Sequence, residues 1–174
     1  MPTIHNVEQR SPEWFELRRN KITASKAGKL LESGVEKAME VSTFTGNIWT
    51  ERGSILESEA IELYEKIKDI PVLTVGFVTN DKYPNCGASP DGITDRLIEV
   101  KCFNAEKHLN IHKDDIPFEV MAQVQFGMMI CELDLCDLVL YNPDLPADKA
   151  LKIIEIKRNE KIINNILSKI DIYF

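Results

Sequence analysis

The segment SPDGI (residues 89–93) and the segment IEVKC (residues 98–102) form the densest polar signal in the chain. Side chains two apart on a strand point to the same face, so Glu99 and Lys101 are expected to project together. Asp91 belongs to a turn one short strand earlier, and pairing of the two strands would bring it beside Glu99. This stretch therefore predicts a pocket that contains two carboxylates and a lysine.

Such a pocket suits the hydrolysis of a phosphodiester. Carboxylate oxygens are ligands that Mg²⁺ prefers, and the ion keeps several of its waters. A bound metal polarises the phosphate and lowers the pKa of water, while an ammonium group stabilises the growing negative charge. On these residues alone, a solvated Glu–Lys pair on an edge strand with an ordinary turn aspartate remains the alternative.

The pattern around this stretch predicts an α/β or α+β fold with a central mixed sheet flanked by helices. Helices are expected from Ser11-Pro12-Glu13, from Thr23-Ala24-Ser25 to Gly34, and at about 50–68, 117–132 and 159–170. Strands are expected at 72–79, 83–89, 92–96, 97–103, 137–142 and 150–157, and a polar loop at 38–48. Because no repeat or domain boundary is visible, residues 1–174 are predicted to be a single domain.

Composition and charge restrict the class of protein only loosely. A chain of 174 residues is long enough to bury a core without disulfides. It has no apolar run of about 18 residues and no signal-peptide pattern, which predicts a cytoplasmic protein with no membrane contact. The net charge of −7 argues against nucleic acid as a partner, but residues 10–37 carry a local excess of three positive charges. Charge therefore neither supports nor excludes nucleic acid as a partner.

The cysteines show no spacing typical of a metal site, because no CxxC pair occurs. They are expected to be small buried hydrophobic residues in a reducing compartment. The four are Cys86, Cys102, Cys131 and Cys136. The three histidines match no motif and receive no predicted role.

Several blocks, in order along the chain, resemble the PD-(D/E)xK nucleases, and specifically their lambda exonuclease / YqaJ-type viral recombinase branch. The nuclease signature itself is similar to Pro90-Asp91-x₇-Glu99-Val100-Lys101. The blocks that resemble the branch are EWFELR-x₃-ITAS (13–25), GSILE-x₂-A (53–60), ASPDG (88–92), IEVKC (98–102), MAQVQF (121–126) and LYNPD (140–144). The resemblance therefore spans roughly residues 11–144.

The resemblance implies a metal centre and a catalytic lysine. Asp91 and Glu99 would be metal ligands, and the backbone carbonyl of Val100 would be a further ligand. Glu57 would complete the metal shell or contact its waters. Lys101 would position and activate the attacking water.

The resemblance also implies roles for residues outside the metal centre. Gln123 would hydrogen-bond near the lysine or the water, whereas Gln125 would be an ordinary polar position on its helix. Arg18, helped by Ser25, would bind the 5′-terminal phosphate of DNA. The residue types support this last role. A guanidinium group can bind phosphate through two hydrogen bonds, and Ser25 lies near a helix start, where free N–H groups attract anions. Trp14 is expected to pack against the helix rather than to stack on bases.

The function implied is a Mg²⁺-dependent 5′→3′ exonuclease on double-stranded DNA ends, with Mn²⁺ as an alternative ion. The resemblance further implies a ring-shaped homotrimer and a single-strand annealing partner. Two other functions remain open at this point: a structure- or site-specific endonuclease or nickase of the same fold, and a non-catalytic DNA-end binder. The last would usually have lost the lysine or a carboxylate, and here all are present.

Overall fold

The computed structural model describes residues 1–40 and 48–174, with side chains from residue 52 onward in the second range. The strands are β1 (Pro2–His5), β2 (Ile22–Thr23), β3 (Phe77–Asn80), β4 (Cys86–Ala88), β5 (Gly92–Ile93), β6 (Leu97–Lys101), β7 (Leu135–Tyr141) and β8 (Leu151–Lys157). The helices are α1 (Pro12–Arg18), α2 (Ala27–Ser33), α3 (Val35–Met39), α4 (Ile48–Lys68), α5 (Ala105–Asn110), α6 (Phe118–Cys131), α7 (Ala147–Ala150) and α8 (Glu160–Tyr173). A 3-10 turn at Ala24–Lys26 leads into α2.

The predicted mixed β-structure is confirmed, and in the described ranges it consists of two hydrogen-bonded sheets of four strands each. One sheet has the order β1-β3-β4-β2 and the other the order β5-β6-β7-β8. The pairs β2–β4 and β6–β7 are parallel, and the other pairs are antiparallel. The chain passes from the first sheet to the second through Ser89-Pro90-Asp91, where Pro90 has no N–H to offer a strand partner.

The β5–β6 hairpin sets the position of Asp91. Gly92 pairs with Ile98, which places Asp91 just beyond the ladder and level with Glu99. A Cβ on residue 92 would lie 2.2 Å from Cγ1 of Val72, so only glycine fits where the chain turns into β5. The register that brings the first carboxylate to the second is therefore fixed by local packing.

Helix α6 runs through the centre of the core and contacts strands of both sheets. Its buried positions occur all around the helix rather than on one stripe, as expected for a helix covered on every side. Gln125 lies fully buried within it and bonds the backbone at both ends of its amide, accepting from Asn159 N (2.8 Å) and donating to Lys157 O (2.9 Å). Gln125 therefore joins α6 to the start of α8.

The signals predicted at the start of α1 and at the end of α2 are confirmed, whereas the predicted helix start at Thr23-Ala24-Ser25 is a 3-10 turn and α2 begins at Ala27. Ser11 caps α1 by accepting a hydrogen bond from Trp14 N, and Pro12 occupies the first helical position. Gly34 ends α2 with φ of 85°, in the region that favours glycine. The long helix predicted from about residue 50 begins at Ile48.

The differences from prediction concern short elements. Elements β1, β2, α3, α5 and α7 have at most six residues, too few for a periodic pattern to reveal. The predicted strand 72–79 begins only at Phe77, because residue 73 makes a single bridge with Ile93 instead of a ladder. The predicted loop 38–48 begins inside α3, and most of it lies outside the described residues.

One cysteine also departs from its prediction. Cys86, Cys131 and Cys136 are buried, and burial raises the pKa of Cys86 and of Cys131 to about 12. Cys102 is exposed instead, and it lies just after Lys101, the last residue of β6.

A helix that crosses a bilayer must be about 20 residues long and largely apolar. Across the two described ranges, no helix is both long enough and apolar enough to cross a bilayer.

Candidate active site

Three carboxylates from three parts of the chain meet at the end of β6. Glu99 lies on β6 and is only 6% exposed. Asp91 precedes β5, and its Oδ2 accepts a hydrogen bond from Val100 N at 2.7 Å. Glu57, on α4, lines the same cavity as Asp91 and Glu99. The structure thus brings together the acidic residues that the sequence singled out.

Burial and crowding disfavour ionisation of Asp91 and Glu99. Burial raises the pKa of Asp91 well above its usual range, and the charges of Glu99 and Glu57 raise it further. Burial also raises the pKa of Glu99, although the neighbouring Lys101 opposes that effect. A cluster of this kind is relieved by a cation, so its donor set fits a hard divalent metal.

The residues fit a Mg²⁺ ion that keeps much of its own water. In the described part of the chain, no three side chains of His, Cys, Asp or Glu already enclose a metal position. Protein ligands would come from Asp91 and Glu99, with Glu57 bound directly or through a water. Val100 lies beside Asp91 through its backbone N–H, and the role of its carbonyl as a ligand stays a prediction.

Lys101 is held in a fixed position next to the carboxylates. Its Nζ donates to Oε1 of Gln123 at 2.8 Å and lies 3.3 Å from Oε1 of Glu99. Gln123 in turn donates from Nε2 to the same Glu99 oxygen at 2.9 Å. The three side chains form a closed ring of contacts, which restricts the freedom of the ammonium group.

Arg18 forms a second polar centre at the end of α1. Its guanidinium donates to Oγ of Ser89 at 3.1 Å and to Oγ1 of Thr23 at 3.4 Å. It lies over the ring of Trp14, 4.0 Å from the centroid. Ser25 joins this group through a 3.2 Å contact with Thr23. Burial lowers the pKa of Arg18 to about 10, so the group stays charged at neutral pH.

One cavity of about 200 Å³ connects the two centres. Its lining includes Arg18 and Ser25 together with the carboxylates Glu57, Asp91 and Glu99. Lys101 does not line it directly, but Glu99 and Gln123, which Lys101 contacts, do. The predicted site residues other than Val100 and Lys101 therefore line a single space, and Lys101 contacts two of its lining residues.

Several polar residues of this cavity were missed by sequence reasoning. Ser89 ends the predicted strand 83–89 and received no predicted role, yet its Oγ accepts from both Arg18 and Trp14 Nε1. Gln9 holds the loop ahead of α1 in place by donating to Val75 O and Pro90 O. Arg10 also lines the cavity. Only Ser89, inside the quoted SPD run, carried a local signal that could have identified it.

The architecture and this acidic site define the PD-(D/E)xK nuclease class. The sequence profile of the YqaJ-like viral recombinase domain matches residues 13–134, and the chain belongs to that family.

Solved structures agree with this placement. An alkaline exonuclease from Laribacter hongkongensis, LHK-Exo, is 27% identical with a TM-score of 0.79, covering 94% of this chain and 90% of that one. Its complex with dAMP gives 28% identity and a TM-score of 0.78, covering 91% and 88%. A phage-related exonuclease from Haemophilus somnus 129PT, 16% identical with a TM-score of 0.63 over 90% and 92% of the chains, shares the fold. No curated protein sequence matches the chain.

Proposed function

We propose that this protein is a Mg²⁺-dependent 5′→3′ exonuclease that degrades linear double-stranded DNA. The observation that carries the proposal is one cavity that is lined both by the half-buried Arg18 and by the crowded carboxylates. A terminal phosphate bound by Arg18 would place the next phosphodiester toward Asp91 and Glu99. The likeness to an alkaline exonuclease supports the same assignment.

Each side chain has a distinct task in this proposal. Arg18 and Ser25 bind the 5′-terminal phosphate, with Ser89 orienting the guanidinium. When bound, Mg²⁺ supplies Lewis-acid activation of the phosphate and of water. Lys101, held by Gln123, orients the attacking water and stabilises the charge that develops on the phosphate oxygens.

A digestion of linear and covalently closed circular duplex DNA tests the proposal. Linear DNA is expected to shorten in Mg²⁺, more weakly or comparably in Mn²⁺, and to stay intact in EDTA, while the circle survives throughout. Cleavage of the circle would favour the endonuclease or nickase alternative. Intact linear DNA in Mg²⁺, together with binding to DNA ends, would favour the non-catalytic end binder and overturn the proposal.

The phosphate pocket yields a second expectation. Linear DNA with 5′-phosphate ends is expected to be digested about 10- to 100-fold faster than DNA with 5′-hydroxyl ends, the range typical of hydrogen bonds to a charged group. Arg18→Ala should abolish this ratio, and Arg18→Lys should restore only part of it because lysine lacks the bidentate fork.

The neighbouring Arg19 offers a matched control for that experiment. It is exposed and pairs with Glu16 at 3.0 Å, away from Ser89. Arg19→Ala should keep the full preference for phosphorylated ends. Equal rates on both kinds of end for the unaltered protein would count against the phosphate pocket.

The proposal also includes an oligomeric state, a partner and a location. A ring-shaped homotrimer and a single-strand annealing partner follow only from the family resemblance, and action in the cytoplasm, that of the host if the protein is viral, is an expectation from the sequence. These three, and the extent of the nuclease domain over 1–174, stay predictions.

A further inference from the structure

Arg10 lies in an unusual backbone conformation at the edge of the active site. Its φ is 69°, in the left-handed region that disfavours residues with a Cβ. The turn is held firmly, because Gln9 donates to Val75 O and Pro90 O and Ser11 N donates to Glu8 O. A non-glycine residue kept in such a turn beside an active site suggests that its side chain has a use.

The side chain of Arg10 reaches across to α4. Its Nη1 donates to Oγ of Ser54 at 2.8 Å. Ser54 lies three positions before Glu57, on the same side of the helix, so the guanidinium is held next to the carboxylate cluster. That described bond uses one of the five N–H donors of the group.

Arg10 also lies between two cavities. It lines the cavity that contains Arg18 and a second one of about 480 Å³, and the two meet at Glu57 and Asp91. Arg18 and Ser25 line only the first cavity, so the second cavity adjoins the carboxylates but lies outside the Arg18 centre. A DNA strand that enters the proposed site with its 5′ end at Arg18 would continue past the carboxylates into this second space.

The second cavity is acidic, which makes its cation important. Glu8, Glu57 and Asp91 line it, and Arg10 is the one cation among the described residues of its lining. A backbone phosphate passing there would be repelled by the carboxylates unless a positive group faced it. Arg10 supplies that group.

We propose that Arg10 is a positioning residue that binds a backbone phosphate of the digested strand on the 3′ side of the scissile bond. The proposal rests on the proposed exonuclease function. Arg18 and Arg10 then hold the strand on either side of the carboxylates, and Arg10 fixes how far the strand advances without touching the reacting atoms.

Arg10→Gly separates a phosphate contact from a structural role, because glycine accepts φ of 69° without strain. The variant is expected to unfold at the same temperature as the unaltered protein or higher. Its KM for linear DNA should rise about 10-fold, and the slope of log binding affinity against log salt should fall by about 1. Arg10→Lys, which keeps the charge, should recover most of the salt slope.

The salt dependence of DNA binding, the preference for 5′-phosphate ends and the stability of Arg10→Gly decide the outcome. Binding is measured by fluorescence anisotropy on a phosphorylated duplex in Ca²⁺ over a range of salt, with Arg19→Ala as the control. The preference for 5′-phosphate ends should persist in Arg10→Gly, since Arg18 is intact. An unchanged salt slope with reduced stability would overturn the proposal in favour of a structural role. If the unaltered protein fails to digest linear DNA, both the proposed function and the role of Arg10 are overturned. If the unaltered protein is active but Arg10→Gly has an unchanged salt slope, only the role of Arg10 is overturned.

Discussion

Replacement of Lys101 by alanine is expected to lower the rate of DNA hydrolysis by about 10³-fold, in the range for loss of one electrostatic catalytic group. The ammonium lies 3.3 Å from Glu99 and donates to Gln123, so its position is fixed before substrate arrives. Removing it leaves a neutral gap where charge develops on the phosphate. Single-turnover digestion of 5′-phosphorylated linear DNA measures the effect on the chemical step.

Loss of folding must be separated from loss of chemistry in that experiment. Lys101 partly offsets the burial that raises the pKa of Glu99, so its removal also leaves a less favourable site for that carboxylate. Lys101→Met keeps most of the apolar stem and should be as inactive as Lys101→Ala. Lys169→Ala, on the exposed face of α8, should retain full activity. A folded Lys101→Met variant that keeps more than about a tenth of the rate would contradict the assigned role.

Replacement of Asp91 by asparagine is expected to have opposite effects on activity and on stability. Hydrolysis should fall below detection, because a metal ligand is lost. The metal-free protein should become more stable at pH 8, because asparagine carries no charge to be buried beside Glu99 and Glu57. Asparagine can still accept the hydrogen bond from Val100 N that Asp91 accepts now.

The sign of the pH dependence follows from the direction of the shift. Burial, then Glu99 and Glu57, raises the pKa of Asp91 in the folded protein. The neutral Asp91 carboxyl contributes its full stability below its pKa in the unfolded chain, which is about 4. That contribution is lost as the pH rises through its pKa in the folded protein. Without metal, the gap in unfolding free energy between the unaltered protein and Asp91→Asn should therefore widen from pH 5 to pH 8.

Urea unfolding at the two pH values, with and without Mg²⁺, measures this gap. Mg²⁺ should stabilise the unaltered protein at pH 8 and leave Asp91→Asn unchanged. If the metal-free variant is less stable than the unaltered protein, the Asp91 carboxylate stabilises the fold, and its proposed role as a metal ligand is contradicted.

The centre of the site was predictable because its geometry is local. Strand alternation placed Glu99 and Lys101 on one face, and a single hairpin brought Asp91 to them. The choice between Gln123 and Gln125 came from the family resemblance, and the structure separates them physically. Gln123 contacts Lys101 and Glu99, while Gln125 bonds only backbone groups and a methionine sulfur among the described contacts.

The remainder depended on contacts between distant segments. Trp14 and Arg18 meet Ser89 more than 70 positions away, and no pattern in the sequence specifies that approach. The left-handed conformation of Arg10 was equally hidden, because arginine is not a residue that signals positive φ. The sequence did not predict that the β-structure divides into two sheets at Ser89-Pro90-Asp91. Turn residues indicate where short strands end, but they do not indicate which strands pair.

Binding of Mn²⁺, followed by electron paramagnetic resonance in the absence of DNA, tests the cation site most directly. The unaltered protein should bind the ion, and Asp91→Asn should bind it at least about 100-fold more weakly, beyond the usual effect of an outer-shell change. Equal Mn²⁺ affinity in the two proteins would contradict a metal centre built on Asp91 and Glu99.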